Sequence, residues 1–269
     1  MKVSDIKKVA CVGGGVIGSS WAIQYAMRGL SVALYDINDE QLLKSRGQME
    51  KSLDALVGHD AIAQTQKAEI VARVHPTTSM EEAVSDAQFI QESGPERLEI
   101  KRSILAQVEQ YAASDALYAS STSGLLISEI VAEAAHPERC VGAHPYNPPH
   151  LIPLVEITRG EKSSDEVVKT VYDFYQSIGK EAVLLRKECP GFIANRLQLA
   201  LYREVQDLVM RGVCSVEDVD KALVYGPGIR WAIFGHNMIM QMGNPGGLTG
   251  MVKMLGNSGD VWLADMASW

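Results

Sequence analysis

The sequence predicts an α/β chain, a doubly wound and mostly parallel sheet followed by a smaller all-helical domain. Three observations carry this. Short apolar runs alternate with helical patterns between residues 8 and 185. A glycine-rich turn, Gly13-Gly14-Gly15-Val16-Ile17-Gly18, joins the first apolar run to the first helical pattern. Beyond Cys189-Pro190-Gly191 no strand pattern returns. At 269 residues the chain is long enough for two modest domains, and the change of pattern sets them at 1–188 and 189–269.

The elements follow in order. Lys8 to Val12 is apolar and ends in glycines, as a buried parallel strand does, and Val16 to Gly29 is a helix with Gly29 as its stop. Ser31 to Tyr35 is the next strand, closed by Asp36, which completes a βαβ unit. A long polar helical stretch from Asn38 to Arg73, broken at Gly58-His59-Asp60, predicts a helical hairpin projecting from the sheet. Val74 to Thr77 and Gln88 to Ile90 are strands, with a short helix at Met80 to Val84 between them. Pro95-Glu96 is placed to start a helix running to about Ala112, with Ile104, Leu105, Val108 and Tyr111 on its apolar face. Leu117 to Ser120 is a strand and Leu125 to Ala134 a helix. Cys140 to Ala143, Leu154 to Thr158 and Glu181 to Leu185 complete the strands, with a helix over Asp165 to Ser177. Helices over Phe192 to Arg211 and Val216 to Val224 open the second domain. The chain ends in an amphipathic segment with no clear cap, which suggests that the helical domain is small or stops early.

Composition removes several functions. A net charge of −8 argues against a nucleic-acid partner, which needs a basic face. No apolar run reaches membrane-spanning length and no leader segment is visible, so a cytoplasmic protein without membrane contact is expected. Cys11, Cys140, Cys189 and Cys214 are scattered without a CxxC pair, which suits reduced thiols and offers no metal site. Met238, Met240, Met242, Met251 and Met254 read as packing residues.

Two groups of residues carry chemistry. In the glycine turn, Gly13 permits the tight bend, Gly15 lets a pyrophosphate approach the backbone, and Gly18 lets helix and strand close together. Val16 and Ile17 open the helix whose N–H groups and dipole favour phosphate. Asp36 ends the next strand, placed for ribose hydroxyls and against a 2′-phosphate, so NAD is favoured over NADP. The second group is Ala143-His144-Pro145-Tyr146-Asn147-Pro148-Pro149 with Glu156. Glu156 stands in the apolar run Leu154-Val155-Glu156-Ile157, where a carboxylate needs a partner. If adjacent extended segments bring it to His144, the pair can move a proton on or off a substrate oxygen.

With these residues in view the chain resembles the 3-hydroxyacyl-CoA dehydrogenase family along nearly its whole length. The matching segments are the glycine turn with Asp36, Pro95-Glu96 with Lys101, Ser120-Ser121-Thr122-Ser123, His144 to Pro148 with Glu156, and Pro190-Gly191-Phe192-Ile193-Ala194-Asn195-Arg196. The resemblance implies a Rossmann-type NAD domain and a helical domain that bears substrate contacts and dimerises. It implies a catalytic His144–Glu156 dyad with Asn195, substrate contacts from Ser123 and Asn147, and Glu96 and Lys101 on the nicotinamide side. Each has a plainer alternative: Ser123 as a helix cap, Asn147 as a turn residue, Asn195 in packing, and Glu96 with Lys101 as a solvated helix start. Two departures stand out. Ser121 replaces the asparagine usual in the acyl-CoA enzymes. Gly226-Pro227-Gly228-Ile229-Arg230-Trp231-Ala232 is more similar to the branch acting on free hydroxy acids, the L-gulonate 3-dehydrogenase (lambda-crystallin) and carnitine 3-dehydrogenase type. There Arg230 would suit a substrate carboxylate, with a surface or interface ion pair as the alternative. The expectation is reversible oxidation of a 3-hydroxy group on an acyl-CoA or a small hydroxy acid. A non-catalytic NAD-binding structural or sensor protein is the competing reading.

Overall fold

The computed structural model describes residues 1–268. The chain divides into two compact units, Met1–Ile193 and the residues from Ala194 onward. In the first unit the elements are β1 (Lys8–Val12), α1 (Val16–Met27), β2 (Ser31–Tyr35), α2 (Asp39–Gly58), α3 (Gln64–Ala72), β3 (Val74–Thr77), α4 (Met80–Val84) and β4 (Phe89–Glu92). They continue with α5 (Leu98–Tyr111), β5 (Leu117–Ser120), α6 (Ile127–Ile130), β6 (Cys140–Pro145), β7 (Leu154–Arg159), α7 (Asp165–Ser177) and β8 (Glu181–Leu185).

The eight strands form one sheet in the order β3-β2-β1-β4-β5-β6-β7-β8. All neighbours run parallel except β6 and β7, which pair antiparallel. The chain steps from β1 outward to β2 and β3, then returns to lay β4 on the other side of β1. That reversal opens a crevice at the C-terminal ends of β1 and β4.

Both faces of the sheet are covered, as a parallel sheet requires. Strand alternation sends Val9, Cys11, Val32 and Leu34 into one core with Trp21, Leu53 and Phe174, on α1, α2 and α7. Ala10, Val12, Ala33 and Ile90 pack on the other face with Met80, Leu105 and Ile127, on α4, α5 and α6. Trp21 and Tyr25 stack with ring centres 5.2 Å apart. The buried phenols of Tyr25 and Tyr175 both donate to Oε1 of Gln91, at 2.7 and 2.5 Å, so the aromatic core carries no unmet hydroxyl there.

Three expected elements differ. The helix placed at Pro95-Glu96 starts at Leu98, because the Glu96 side chain reaches back to the loop after β5 and residues 93–97 stay extended or turned. The helix expected over Leu125 to Ala134 is one turn, Ile127–Ile130, held at Ser128 by Glu188. Phe192 does not open the following helix, since its φ is +52° and it follows Gly191 at φ +74°. Phe192 is buried within the first unit, so the division falls at Ile193, a few residues past the expected 188/189 boundary.

The second unit holds α8 (Ala194–Met210), α9 (Val216–Leu223), α10 (Ile229–Ile233), α11 (His236–Met242) and α12 (Gly247–Asp265), with a π-type turn at Val224–Gly228. Ser215 caps α9 by accepting from the Asp218 N–H. Arg211 clamps Asp265 through both terminal guanidinium nitrogens, at 3.0 and 3.1 Å. Among the described residues no helix is long and apolar enough to cross a membrane.

Candidate active site

At the end of β1 the chain turns at Gly13, where φ is +101° and a Cβ would lie 2.8 Å from the Ser93 carbonyl oxygen. At Gly18 a Cβ would fall 1.7 Å from the carbonyl oxygen of Gly13, so any side chain there would force α1 off the turn. Gly15 is the N-cap of α1, and its Cβ position meets no atom within 4 Å. The first-turn N–H groups of Val16, Ile17 and Gly18 have no intrahelical acceptor and form a positive helix end. Asp36 is fixed beside this turn by the N–H of Gly14, at 2.8 Å to Oδ2. An open glycine, a bare helix N-terminus and a held strand-end carboxylate fit the pyrophosphate and ribose of a dinucleotide.

A buried ion-pair network sits at the ends of β4 and β5. Glu92 is fully buried and accepts from Lys101 Nζ at 2.9 and 3.1 Å and from the Gly94 N–H at 2.6 Å. Ser120 also donates to it. Lys101 is itself 1% exposed and lies 3.5 Å from Glu96. Glu96 Oε1 in turn accepts from Thr122 Oγ1 at 2.7 Å and from the N–H groups of Ser123 and Gly124 at 2.8 and 3.1 Å. Burial pushes the Glu96 carboxyl up, but the Thr122 hydroxyl, the Lys101 charge and the two N–H donors outweigh it and hold it below the usual range. The network fixes the loop that carries Ser123, which is exposed.

His144 and Glu156 face each other directly across the antiparallel β6–β7 ladder. Opposed residues project to the same face, which is why the pair meets. Nδ1 of His144 lies 2.9 Å from Glu156 Oε2. A carboxylate accepts only, so the imidazole carries its proton on Nδ1 and keeps Nε2 for a ligand. Glu156 is 1% exposed and His144 is 8% exposed. The other carboxylate oxygen, Oε1, accepts from the Ile193 N–H at 2.9 Å. The rings of Phe192 and Tyr146 flank the imidazole at 5.5 and 5.7 Å. Burial, with a contribution from the Glu156 charge, raises the Tyr146 phenol above its ordinary value.

The remaining expected residues fall in both units. Asn147 is exposed, two positions past the end of β6. Asn195 lies in the first turn of α8 and Arg230 is exposed on α10. Glu92, Phe192 and the Ile193 N–H join these residues without being among the sequence candidates. Glu92 was open to discovery, since it ends the apolar strand Phe89-Ile90-Gln91-Glu92 and raises the same need for a partner as Glu156. The Ile193 contact is a backbone one and leaves no mark on residue type. Among the described residues no group of three His, Cys, Asp or Glu side chains could hold a metal ion.

Comparison with known proteins gives a consistent answer. Residues 8–189 match the NAD binding domain of 3-hydroxyacyl-CoA dehydrogenase, and residues 191–257 match its C-terminal domain. An L-carnitine dehydrogenase of Streptomyces griseus subsp. griseus is 40% identical over 95% of this chain and 74% of its own length. A 3-hydroxyacyl-CoA dehydrogenase of Gibberella moniliformis is 39% identical over 97% of this chain and 81% of its own. In structure, the NAD+-dependent 5-formyl-3-hydroxy-2-methylpyridine 4-carboxylic acid 5-dehydrogenase superposes with a TM-score of 0.87 at 31% identity, covering 98% of this chain and 82% of that one. The chain belongs to the 3-hydroxyacyl-CoA dehydrogenase family, and it is an NAD-dependent enzyme that interconverts a 3-hydroxy group and a 3-keto group.

Proposed function

We propose that His144 and Glu156 are the acid–base dyad of this reaction and that the substrate is a small free 3-hydroxy acid of the carnitine type. The 2.9 Å hydrogen bond between the two side chains, in a buried setting, carries the reading. During oxidation Nε2 of His144 accepts the proton of the substrate 3-hydroxyl. Glu156 holds the ring and steadies the imidazolium that forms. In the reverse direction the same nitrogen returns the proton. NAD, when bound, supplies a hydride acceptor at its nicotinamide ring.

Gly13, Gly15 and the first-turn N–H groups of Val16, Ile17 and Gly18 would hold its pyrophosphate, and Asp36 its adenosine ribose. Glu96 would serve the nicotinamide side, with Lys101 fixing it from behind. Ser123, Asn147 and Asn195 orient the reacting oxygen. Arg230 takes the substrate carboxylate in a bidentate grip.

The carnitine-type assignment draws support from the 40% identity to an L-carnitine dehydrogenase. It also draws on the chemistry around Arg230. Carnitine carries a carboxylate and a quaternary ammonium, and the exposed rings of Trp231 and Phe234 near Arg230 in sequence are the side chains such a cation prefers. Exposed apolar residues on the helical unit, among them Leu197, Leu199, Ile233, Val252 and Trp262, support a homodimer through that unit. The four unpaired cysteines support a reducing, cytoplasmic setting.

The test is NADH formation with L-carnitine, L-gulonate, 3-hydroxybutyrate and L-3-hydroxybutyryl-CoA. A free acid should exceed the thioester in kcat/KM by about tenfold or more, since a lost charged hydrogen-bond pair costs that much. Turnover of the thioester alone would overturn the substrate class and leave the dyad standing. His144→Gln should keep NADH binding while kcat falls by about two to four powers of ten. An unchanged rate would remove the dyad.

A further inference from the structure

Lys180, the residue before β8, is 2% exposed. Its ammonium donates to the carbonyl oxygens of Pro149 and Ile152 at 2.6 and 2.5 Å and lies 5.3 Å from the centre of the Trp21 ring. Among the described residues no carboxylate forms an ion pair with it. A buried cation without a counter-charge is costly, and a neutral side chain would cover Trp21 as well. The ammonium is therefore kept for what it holds.

What it holds is the loop that follows the His144 strand. Pro149 and Ile152 flank His150, and His150 is tied to α1: its N–H donates to Ser20 Oγ at 3.0 Å and its Nδ1 lies 2.6 Å from the same oxygen. Glu181 N–H bonds the Pro153 carbonyl at 2.9 Å. The segment 147–153 is thus pinned on one side to β8 and on the other to the helix that opens at the glycine turn. Asn147 is its first residue.

We propose that Lys180 is a positioning residue, whose charged ammonium locks the 147–153 loop so that Asn147 and the end of β6 at His144 hold their reactive geometry. The proposal rests on the roles given above to His144 and Asn147. Loss of the third proton of the ammonium weakens the lock. The groups facing Lys180 are Arg28 at the end of α1, whose guanidinium abuts Gly179, and His150 on the loop. Burial, with the Arg28 charge, pulls the ammonium down to about 8. Burial, with the Lys180 charge, lowers His150 as well. The lock is closed at neutral pH and opens in weak alkali.

The full chain is assayed in the oxidation direction with L-carnitine and with L-3-hydroxybutyryl-CoA, from about pH 6.5 to about pH 9.5. In the wild type kcat/KM falls along an alkaline limb near pH 8, the value to which Lys180 is drawn. Lys180→Met should keep NADH binding within about threefold, lower kcat by about ten- to a hundredfold, the cost of a misplaced reacting group, and lose the alkaline limb. Lys180→Arg, which does not titrate, should restore most of the rate and also lack the limb. A Lys180→Met enzyme with the wild-type rate and the wild-type limb overturns the proposal. If neither variant folds by circular dichroism, the wild-type profile decides, and the absence of a limb below about pH 9 overturns it. Failure of the dyad reading is separate: it shows as activity surviving in His144→Gln, whatever the limb does.

Discussion

Glu156→Gln tests the site by a change of one atom. Glu156 accepts from His144 Nδ1 on Oε2 and from the Ile193 N–H on Oε1, each at 2.9 Å. A glutamine has one oxygen and one NH₂ to offer these two donors. If the oxygen serves Ile193, the NH₂ faces Nδ1 and forces the ring proton onto Nε2, where it blocks the acceptor the reaction needs. If the oxygen serves His144, the NH₂ meets the Ile193 N–H and the ring loses its fixed position. Either way the negative charge is gone. That charge is worth about 4 kcal/mol to an imidazolium about 4 Å away at an effective dielectric of about 20, and it acts only once the proton has arrived. About 4 kcal/mol is about three powers of ten in rate. The expected kcat is therefore about a thousandfold below wild type in the oxidation direction, with NADH affinity unchanged. NADH absorbance under saturating substrate reads the rate, and quenching of protein fluorescence reads the affinity. A folded variant with kcat within about threefold of wild type would refute the tautomer argument and the role of the carboxylate with it.

Two further predictions concern the scaffold. Glu92→Gln leaves the buried Lys101 ammonium with only the more distant Glu96 carboxylate, at 3.5 Å, and should cost about 3 kcal/mol, read as a fall in the urea midpoint; a wild-type midpoint would mean that the pair does not need both charges. The phenols of Tyr25 and Tyr175 are raised above their ordinary value, chiefly by burial. Their stabilisation is intact below the unfolded value of about 10 and is lost as pH rises past it, so alkaline unfolding should begin above about pH 10. In a difference titration near 295 nm these two tyrosines should ionise only together with unfolding, and ionisation in the folded protein would contradict their burial.

Most of the first unit was legible because each of its signals is local. The strand–glycine–helix order is written in Lys8 to Gly18, and the helix over Asp165–Ser177 shows a Ser164 cap, two acidic residues in its first turn and a clear apolar face. The misplacements came from residues with distant partners. Pro95 has the sequence of a helix start, yet Glu96 is drawn across to Thr122 and Ser123, and no local pattern announces that. Phe192 looks like a helix opener, yet its ring is wanted against His144, so it adopts a positive φ at a cost of about 1–3 kcal/mol. Lys180 carries no local signal, because the carbonyls of Pro149 and Ile152 that surround its ammonium lie about thirty positions away.

The antiparallel turn in an otherwise parallel sheet explains why the meeting of His144 and Glu156 could be read at all. Parallel neighbours are joined by long crossovers, so opposed residues lie far apart in sequence, as Val12 and Glu92 do. Where β6 doubles back into β7, His144 and Glu156 become ladder partners only twelve positions apart. Because strand side chains alternate, a slip of one residue would turn Glu156 to the opposite face and put Val155 or Ile157 against the imidazole. Val155 and Ile157 are themselves fully buried in the core packed on α1 and α7, and their burial resists that slip. The register of the His144–Glu156 pair is thus enforced by the apolar residues on either side of its carboxylate. Substitutions at Val155 or Ile157 that let the strand slide should lower the rate without touching any group that handles the proton.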